Sequence, residues 1–161
     1  MKIVVLKFGG TSVGTIEKIK KVTDIIIDHK KKKKKVIVVS SAMSGVTNDL
    51  IKKSKQISNN FIDSEYDVLV SSGEQVACSL IAGRLNHKGF KSRSWLGWQI
   101  PIFTNGPYTN SRIQQVNKNK LLRFLKEGGI PIITGFQGVN MNERVTTIGR
   151  GGSDASAIMI A

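Results

Sequence analysis

The sequence is poor in cysteine, proline and aromatic residues. It has one cysteine and three prolines, and aromatic side chains make up 6% of its 161 residues. Cys78 has no partner for an internal disulfide, which excludes the disulfide-stapled class of small secreted domains and fits a reducing compartment. We expect Cys78 to be a small core residue rather than a nucleophile.

Long hydrophobic runs are also missing. No stretch of eighteen or more apolar residues occurs, and the N-terminus lacks the hydrophobic length and cleavage site of a secretory signal. We therefore expect a cytoplasmic protein with no membrane partner. With 40% hydrophobic residues and 16 glycines, the chain is long enough for one domain with a sizeable core.

Acidic residues are scarce: 11 Asp and Glu stand against 25 Lys and Arg, which gives a net charge of +14. The sharpest local cause is the lysine run Lys30–Lys35, which would attract nucleic acid through simple electrostatics. The run lies between an apolar helix pattern and an apolar strand pattern, and it has no interleaved aromatic residues for stacking bases. We expect a solvated connection and no nucleic-acid partner.

Short apolar runs alternate with helical patterns along the chain, which predicts a mostly parallel sheet covered by helices. Pro101 predicts an edge or bulge position for the short strand at 100–103. The predicted strands are 3–6, 36–39, 90–96, 100–103 and 130–133, and the predicted helices are 16–27, one starting at the capping residues 47–49, 74–85, 116–126 and 155–159. The apolar end, 157–161, has no capping residue and is typical of a chain cut inside a domain.

The most informative segment is Lys7-Phe8-Gly9-Gly10-Thr11-Ser12, which directly follows the first apolar strand. Glycines at the end of a buried strand let backbone N–H groups approach an anion, and a lysine adds a compact positive charge. The alternative is a strand-to-helix turn that carries two glycines for tight geometry.

A second glycine-rich segment, Gly149-Arg150-Gly151-Gly152-Ser153-Asp154, repeats this chemistry near the other end of the chain. The guanidinium of Arg150 can hold a carboxylate or phosphate through two parallel hydrogen bonds, and the N–H groups of Gly151 and Gly152 can face the same ligand. Ser153 is a candidate N-cap for the following helix. The alternative is a flexible loop capped by Ser153.

Two further segments place small polar groups beside glycine: 40–48 and 71–75. The hydroxyls of Ser41 and Thr47 could bind a carboxylate or phosphate, although serine and threonine also cap turns and helices. Glu74 could receive a substrate ammonium, although a glutamate in the first turn of a helix also stabilises the helix dipole. Spacing alone does not decide between these interpretations.

Taken together, the four segments resemble those of the aspartokinase family, in the family's order and over essentially all 161 residues. The resemblance implies the amino-acid-kinase fold, a three-layer αβα sandwich, here as the N-terminal portion of the catalytic domain. It also implies phosphorylation of the side-chain carboxylate of L-aspartate with ATP and Mg²⁺. In that fold the nucleotide-binding half and the regulatory ACT domains would follow the present 1–161 segment, and both are absent from it.

The resemblance also implies roles for individual residues. Lys7 and Asp154 would be catalytic, with Asp154 orienting Lys7. The nucleotide would be bound by Lys7, Phe8, Gly9, Gly10, Ser12 and Ser41, and aspartate by Ser41, Thr47, Glu74, Arg150, Gly151, Gly152 and Ser153. We expect no metal ligand among the side chains, weak or no ATP binding by this segment alone, and as partner either a second copy of the chain or a chain that carries the remaining half. The alternatives are a non-catalytic remnant and a kinase for another small carboxylate.

Overall fold

The fold is built from thirteen helices and strands within residues 2–149 and 151–161, which are the residues that the computed structural model describes. In chain order they are β1 (Ile3–Phe8), α1 (Ile16–Lys31), β2 (Lys35–Ser40), α2 (Val46–Ile57), α3 (Asp63–His87), β3 (Ser92–Trp95), β4 (Ile102–Asn105), β5 (Arg112–Val116), α4 (Asn119–Lys126), β6 (Ile130–Thr134), β7 (Gln137–Val139), β8 (Val145–Thr147) and α5 (Gly152–Ile160).

The first sheet is entirely parallel, in the order β1-β2-β6-β3. Its two central strands, β2 and β6, are buried almost throughout. Strands that are covered on both faces read as continuous apolar runs, because neither set of alternating side chains reaches water. This is why 36–39 and 130–133 could be recognised as strands from the sequence.

Helices cover both faces of this sheet, as the three-layer expectation requires. Alternate residues of β2 point to opposite faces: Val36 and Val38 pack in a core cluster with α1 and α3, whereas Ile37 and Val39 pack with α4 and α5. Cys78 belongs to the first cluster and is fully buried. Burial and the nearby carboxylate of Glu74 raise the pKa of its thiol, so Cys78 is an inert core residue.

A second sheet, in the order β5-β4-β7-β8, was not foreseen from the sequence. It corrects two predictions. Val116 ends β5, and the helix predicted from 116 begins at Asn119. The strand predicted at 100–103 is shifted to β4, and Pro101 lies just before its first residue. The edge alternative is wrong because β4 is an interior strand, whereas its pairing with β5 does have a bulge-like irregularity, between Phe103 and Thr104.

Two predicted helix starts are also wrong. The helix predicted to begin at Glu74 is α3, a 25-residue helix that begins eleven residues earlier. The helix predicted to be capped at Thr47 begins at Val46, with Gly45 at the N-cap in a left-handed conformation (φ 86°) that glycine adopts without strain. Within 2–149 and 151–161, no helix is long and apolar enough to cross a membrane.

Candidate functional site

The candidate site lies at the carboxyl ends of β1, β2 and β6. The chain leaves these three strands in turns that are tied to one another: Ser41 N–H donates to the Phe8 carbonyl at 3.0 Å, and Gly135 N–H donates to the Ser40 carbonyl at 3.0 Å. The N-terminus of α5 lies beside them. This is the edge at which open α/β sheets bind ligands, and here it encloses a cavity of about 410 Å³.

The cavity brings together most of the residues singled out from the sequence. Those that line it are Lys7, Gly10, Ser41, Thr47, Glu74, Gly151, Gly152, Ser153 and Asp154. Phe8, Gly9 and Ser12 do not line it: the Phe8 side chain packs against the first core cluster, and the Gly9 carbonyl accepts the N–H groups of Ser12 and Val13. Arg150 lies outside the residues that the structure describes.

Lys7 and Asp154 form an ion pair across the cavity, with 3.0 Å between Lys7 Nζ and Asp154 Oδ1. Lys7 is the penultimate residue of β1, and Asp154 lies in the first turn of α5. The side chains are 32% and 64% exposed, and ion pairs this open to water contribute about 0–1 kcal/mol to stability. The pair therefore matters for where it holds the lysine ammonium rather than for the stability of the fold.

Glu74 is the buried charge of the site. Its Oε1 accepts a hydrogen bond from Ala42 N–H at 3.2 Å, whereas its Oε2 has no hydrogen-bond partner among the described residues. Burial raises the pKa of Glu74 to about 7, and the Ala42 N–H offsets only part of that rise. A buried carboxylate with one unsatisfied oxygen is the arrangement that a cationic ligand group would complete.

Two glycines of the site have a packing role. A Cβ on Gly10 would lie 3.0 Å from the Ala42 carbonyl oxygen, and a Cβ on Gly135 would lie 2.7 Å from Ser153 Oγ. Side chains at either position would push apart the turns that form the cavity. The tight-turn alternative for Gly10 is therefore supported, and it is compatible with an anion-binding role because both require a close backbone approach.

Ser153 is not the N-cap of α5, which corrects the sequence prediction. Gly151 is the N-cap, with φ 76°, and Ser153 lies inside the first turn. The start of α5 still faces the cavity, so its dipole favours an anion there.

Several residues of the lining were not named as site residues from the sequence. They are Ala42, Met43, Ser44, Gly45, Asn48, Phe136 and Gly149. Most of them belong to the small-polar segment 40–48. Phe136 gave no signal: it follows β6 with φ 66°, and a bulky residue in that conformation cannot be anticipated from its side chain.

The donor set of the cavity does not form a magnesium site. Its carboxylates are Glu74 and Asp154, of which the first bonds a backbone N–H and the second bonds Lys7. Among the described residues no three His, Cys, Asp or Glu side chains converge on one point.

The carboxyl edge of this parallel α/β sheet carries a lysine, a buried carboxylate and a helix N-terminus, which are features typical of α/β proteins with sites for small charged ligands. Comparison with known proteins identifies the family: the chain belongs to the amino acid kinase family, whose model matches residues 2–161. Sequence relatives confirm the resemblance to the N-terminal portion of aspartokinases.

Curated relatives include an aspartokinase of Geobacillus stearothermophilus, 46% identical over 161 residues, and an aspartate kinase of Pseudomonas putida, 42% identical over 161 residues. Each match covers 100% of this chain but 40% and 39% of the relative. The chain thus spans about two fifths of the length of these relatives.

Solved structures agree on the fold. Aspartate kinase from Synechocystis matches with a TM-score of 0.83 and 36% identity, over 100% of this chain and 26% of that one. Escherichia coli aspartokinase III in complex with aspartate and ADP matches with a TM-score of 0.85 and 24% identity, over 100% and 46%. An isopentenyl phosphate kinase shares the fold at a TM-score of 0.68 and 13% identity, over 96% and 66%. The fold alone therefore does not select the phosphoryl acceptor.

Proposed function

We propose that this chain forms the aspartate-binding part of an aspartokinase, which transfers the terminal phosphoryl group of ATP to the β-carboxylate of L-aspartate. The product is 4-phospho-L-aspartate, the first intermediate towards lysine, threonine and methionine. The observation that carries the proposal is the unpartnered Oε2 of Glu74, which lines the same cavity as the Lys7–Asp154 pair. An α-ammonium group complements that oxygen, and the kinship to aspartokinases supports the same acceptor.

The aspartate headgroup is bound through charge pairing at both of its ends. Glu74 accepts the α-ammonium and Arg150 pairs with the α-carboxylate, because a guanidinium can hold a carboxylate through two parallel hydrogen bonds. Thr47, Ser153 and the backbone of Gly151 and Gly152 add neutral contacts. This assignment leaves the β-carboxylate of the substrate unpaired and free to react.

The phosphoryl side of the site is built on Lys7. Its ammonium neutralises phosphate oxygens, Asp154 orients it, and Gly9 and Gly10 allow the backbone to approach the phosphates, with Ser41 close to the reacting groups. A β-carboxylate oxygen of aspartate forms a bond to the γ-phosphorus, while the bond from that phosphorus to the bridging oxygen breaks and releases ADP. Magnesium brought by the triphosphate would supply further charge neutralisation.

No general base is needed for this transfer. A free aspartate side chain has a pKa near 3.9, so the nucleophile is ionised at neutral pH. Catalysis then rests on alignment of two reactants and on neutralisation of their negative charges. The raised pKa of Glu74 affects substrate binding and not the phosphoryl transfer. Pairing with the α-ammonium group of aspartate favours the ionised form of Glu74.

The test is direct binding of L-aspartate to the chain, measured by isothermal titration calorimetry. We expect the wild-type chain to bind L-aspartate saturably. The affinity should fall by about a hundredfold when Glu74→Gln binds L-aspartate, and equally when the wild type binds N-acetyl-L-aspartate, because each change removes one charge of a buried pair. Glu143→Gln, an exposed carboxylate away from the cavity, is the matched control and should bind normally. Equal binding by wild type and Glu74→Gln, or no binding of aspartate at all, would contradict the proposal.

Turnover is a separate question, because the chain spans about two fifths of its relatives. We propose that ATP binding and activity require either a chain that carries the remaining part of the kinase or a homo-oligomer in which a second copy of this chain completes the site. The test is to trap any acyl phosphate with hydroxylamine and to compare the amount formed by the wild-type chain with the amount formed by Lys7→Ala. Lys7-dependent product from the chain alone would show instead that the present residues suffice.

A further inference from the structure

A second cavity, of about 550 Å³, lies between the edge strand β3 and helix α4. It shares no residue with the candidate active site. Aromatic and basic side chains form most of its wall: Arg93, Trp95, Trp98, Lys120, Arg123 and Phe124. Its volume falls within the range of about 300–1,000 Å³ that is typical of small-molecule sites.

The aromatic side of this cavity combines one buried and one open indole ring. Trp95 is 5% exposed and packs edge-to-face against Phe124, with 5.9 Å between the ring centroids. Trp98 is 51% exposed, although it stands beside this packed wall. A large aromatic ring left half in water at the rim of a cavity offers a stacking surface for a planar ligand.

The basic side of the cavity carries cations without acidic partners. Among residues 2–149 and 151–161, neither Arg93, Arg123 nor Lys120 has a carboxylate within 4.0 Å. The acid in the wall, Glu127, forms its ion pair with Lys91 at 2.7 Å. The hydrogen bond and charge of Lys91 lower the pKa of Glu127, and the charge of Arg123 adds a smaller contribution in the same direction. The unpaired cations therefore favour an anionic ligand.

Contacts within the protein orient two of these cations, Arg93 and Lys120. The Arg93 guanidinium carbon lies 4.0 Å from the Trp95 ring centroid, so stacking holds the guanidinium plane and leaves its N–H edge available. Lys120 Nζ donates to the Gln99 carbonyl at 3.1 Å, and Gln99 Oε1 accepts Leu96 N–H at 3.0 Å. These two hydrogen bonds, to the side chain and to the backbone carbonyl of Gln99, restrain the loop that carries Trp98. The restraint reduces the conformational entropy that the loop would lose on ligand binding.

We propose that this cavity binds a nucleoside monophosphate, with the base stacked on Trp98 and the phosphate held by Arg93, Arg123 and Lys120. A planar ring joined to a dianion satisfies both halves of the wall, whereas a simple anion would leave the indole in water and a neutral aromatic would leave the cations unpaired. This site is independent of the proposed kinase reaction, since it uses none of the residues assigned to aspartate or ATP.

Intrinsic tryptophan fluorescence can detect binding at this site, because the two tryptophans of the chain, Trp95 and Trp98, both line the cavity. We would titrate the wild-type chain with AMP and follow tryptophan fluorescence, excited at the red edge of indole absorption where adenine does not absorb. We expect a saturable change, with adenosine and inorganic phosphate each binding about tenfold more weakly than AMP, since each retains one of the two contact types. Absence of a saturable change, or equal response to phosphate alone, would overturn the proposal.

Variants measured by calorimetry remove the dependence on fluorescence. Arg123→Gln and Trp98→Ala should each weaken AMP binding by about tenfold, with Trp98→Tyr restoring most of it because a phenol ring still stacks. Arg112→Gln on β5 is the charge-matched control, and Lys7→Ala separates this site from the candidate active site; both should bind AMP as wild type does. Equal weakening by Arg112→Gln, or loss in Lys7→Ala, would refute a site here. So would an oligoadenylate that binds far more tightly per nucleotide than AMP, since it would identify single-stranded nucleic acid as the ligand.

Discussion

Two buried carboxylates seven residues apart on α3 have opposite surroundings. Asp67 accepts hydrogen bonds at both oxygens, from Thr109 N–H at 3.0 Å and from Thr147 through its N–H at 2.8 Å and its hydroxyl at 2.6 Å. Glu74 accepts one, from Ala42, and its second oxygen has no partner among the described residues. One helix thus carries a satisfied carboxylate and a half-satisfied carboxylate about two turns apart.

The difference separates structure from function. The oxygens of Asp67 are occupied by the fold, since they fasten α3 to β8 and to the loop before β5. Leaving a buried oxygen of Glu74 without a donor costs about 1–3 kcal/mol, and a fold selected for stability alone would have supplied a partner or an apolar side chain there. An incoming ammonium group would supply the missing hydrogen bond. A carboxylate is therefore structural at position 67 and, under the proposed function, ligand-binding at position 74.

Replacing the satisfied carboxylate should have the largest effect on stability. We expect Asp67→Asn to lower the free energy of unfolding by about 3–5 kcal/mol, because an amide nitrogen would face donors that now share a charged acceptor. Urea unfolding followed by circular dichroism measures the change. Asp63→Asn, an exposed carboxylate in the first turn of the same helix, should lose less than about 1 kcal/mol. Similar losses in both variants would show that the Asp67 network contributes little.

Replacing the half-satisfied carboxylate should change stability in the other direction. At about pH 8 we expect Glu74→Gln to raise the free energy of unfolding by up to about 3 kcal/mol, since a neutral amide removes a buried charge whose pKa is displaced from 4.5 to about 7. The same variant should lose aspartate binding. A stabilised protein that no longer binds its ligand is the signature of a functional group. A variant that is less stable than wild type at this pH would place Glu74 with Asp67 as a structural carboxylate.

The stability difference between wild type and Glu74→Gln should depend on pH. A raised pKa means that the folded state holds the proton more tightly than the unfolded state, so the Glu74 contribution is fully present below about pH 4.5 and declines until about pH 7, with no further change above. Subtracting the free energy of unfolding of Glu74→Gln from that of the wild type at each pH removes the contributions of the other carboxylates. Aspartate affinity should fall by up to about tenfold per pH unit below pH 7, because the ammonium pairs with the ionised form. A flat difference curve would contradict the shifted pKa.

The centre of the parallel sheet could be predicted from the sequence because β2 and β6 are apolar and buried on both faces. The second sheet could not. Its interior holds the polar side chains of Thr104, Gln137, Thr146 and Thr147, and the Thr104 and Thr146 hydroxyls bond each other at 2.6 Å. Buried polar residues that satisfy one another give no alternating apolar pattern, so periodicity has nothing to detect.

The candidate site was predictable in its residue types but not in its geometry. The two glycine-rich motifs indicated Lys7 and Asp154, the small-polar segment 71–75 offered Glu74 as a candidate, and the family resemblance implied the roles of Glu74 and Asp154. The cavity contains all three. The first half of α3 was missed because residues such as Asp67, Ser71 and Gly73 are poor helix formers, and contacts with the second sheet override that preference. The distinction between Asp67 and Glu74 depends on those contacts, and a linear sequence does not contain them.

Two glycines of α3 allow the smallest and most specific test of whether the position of Glu74, rather than helix stability, governs binding. A Cβ on Gly73 would lie 3.0 Å from Ala42 Cβ and 3.2 Å from Val46 Cγ1, whereas a Cβ on Gly83 meets nothing within 4 Å. We expect Gly73→Ala to destabilise by about 1–3 kcal/mol and to weaken aspartate binding, since the helix must shift beside Glu74. Gly83→Ala should stabilise by about 0.5–1 kcal/mol and leave binding unchanged. Urea unfolding and calorimetric titration of both variants decide the matter, and weaker binding in Gly83→Ala would mean that α3 as a whole, not the packing of Glu74 against Ala42, controls the site.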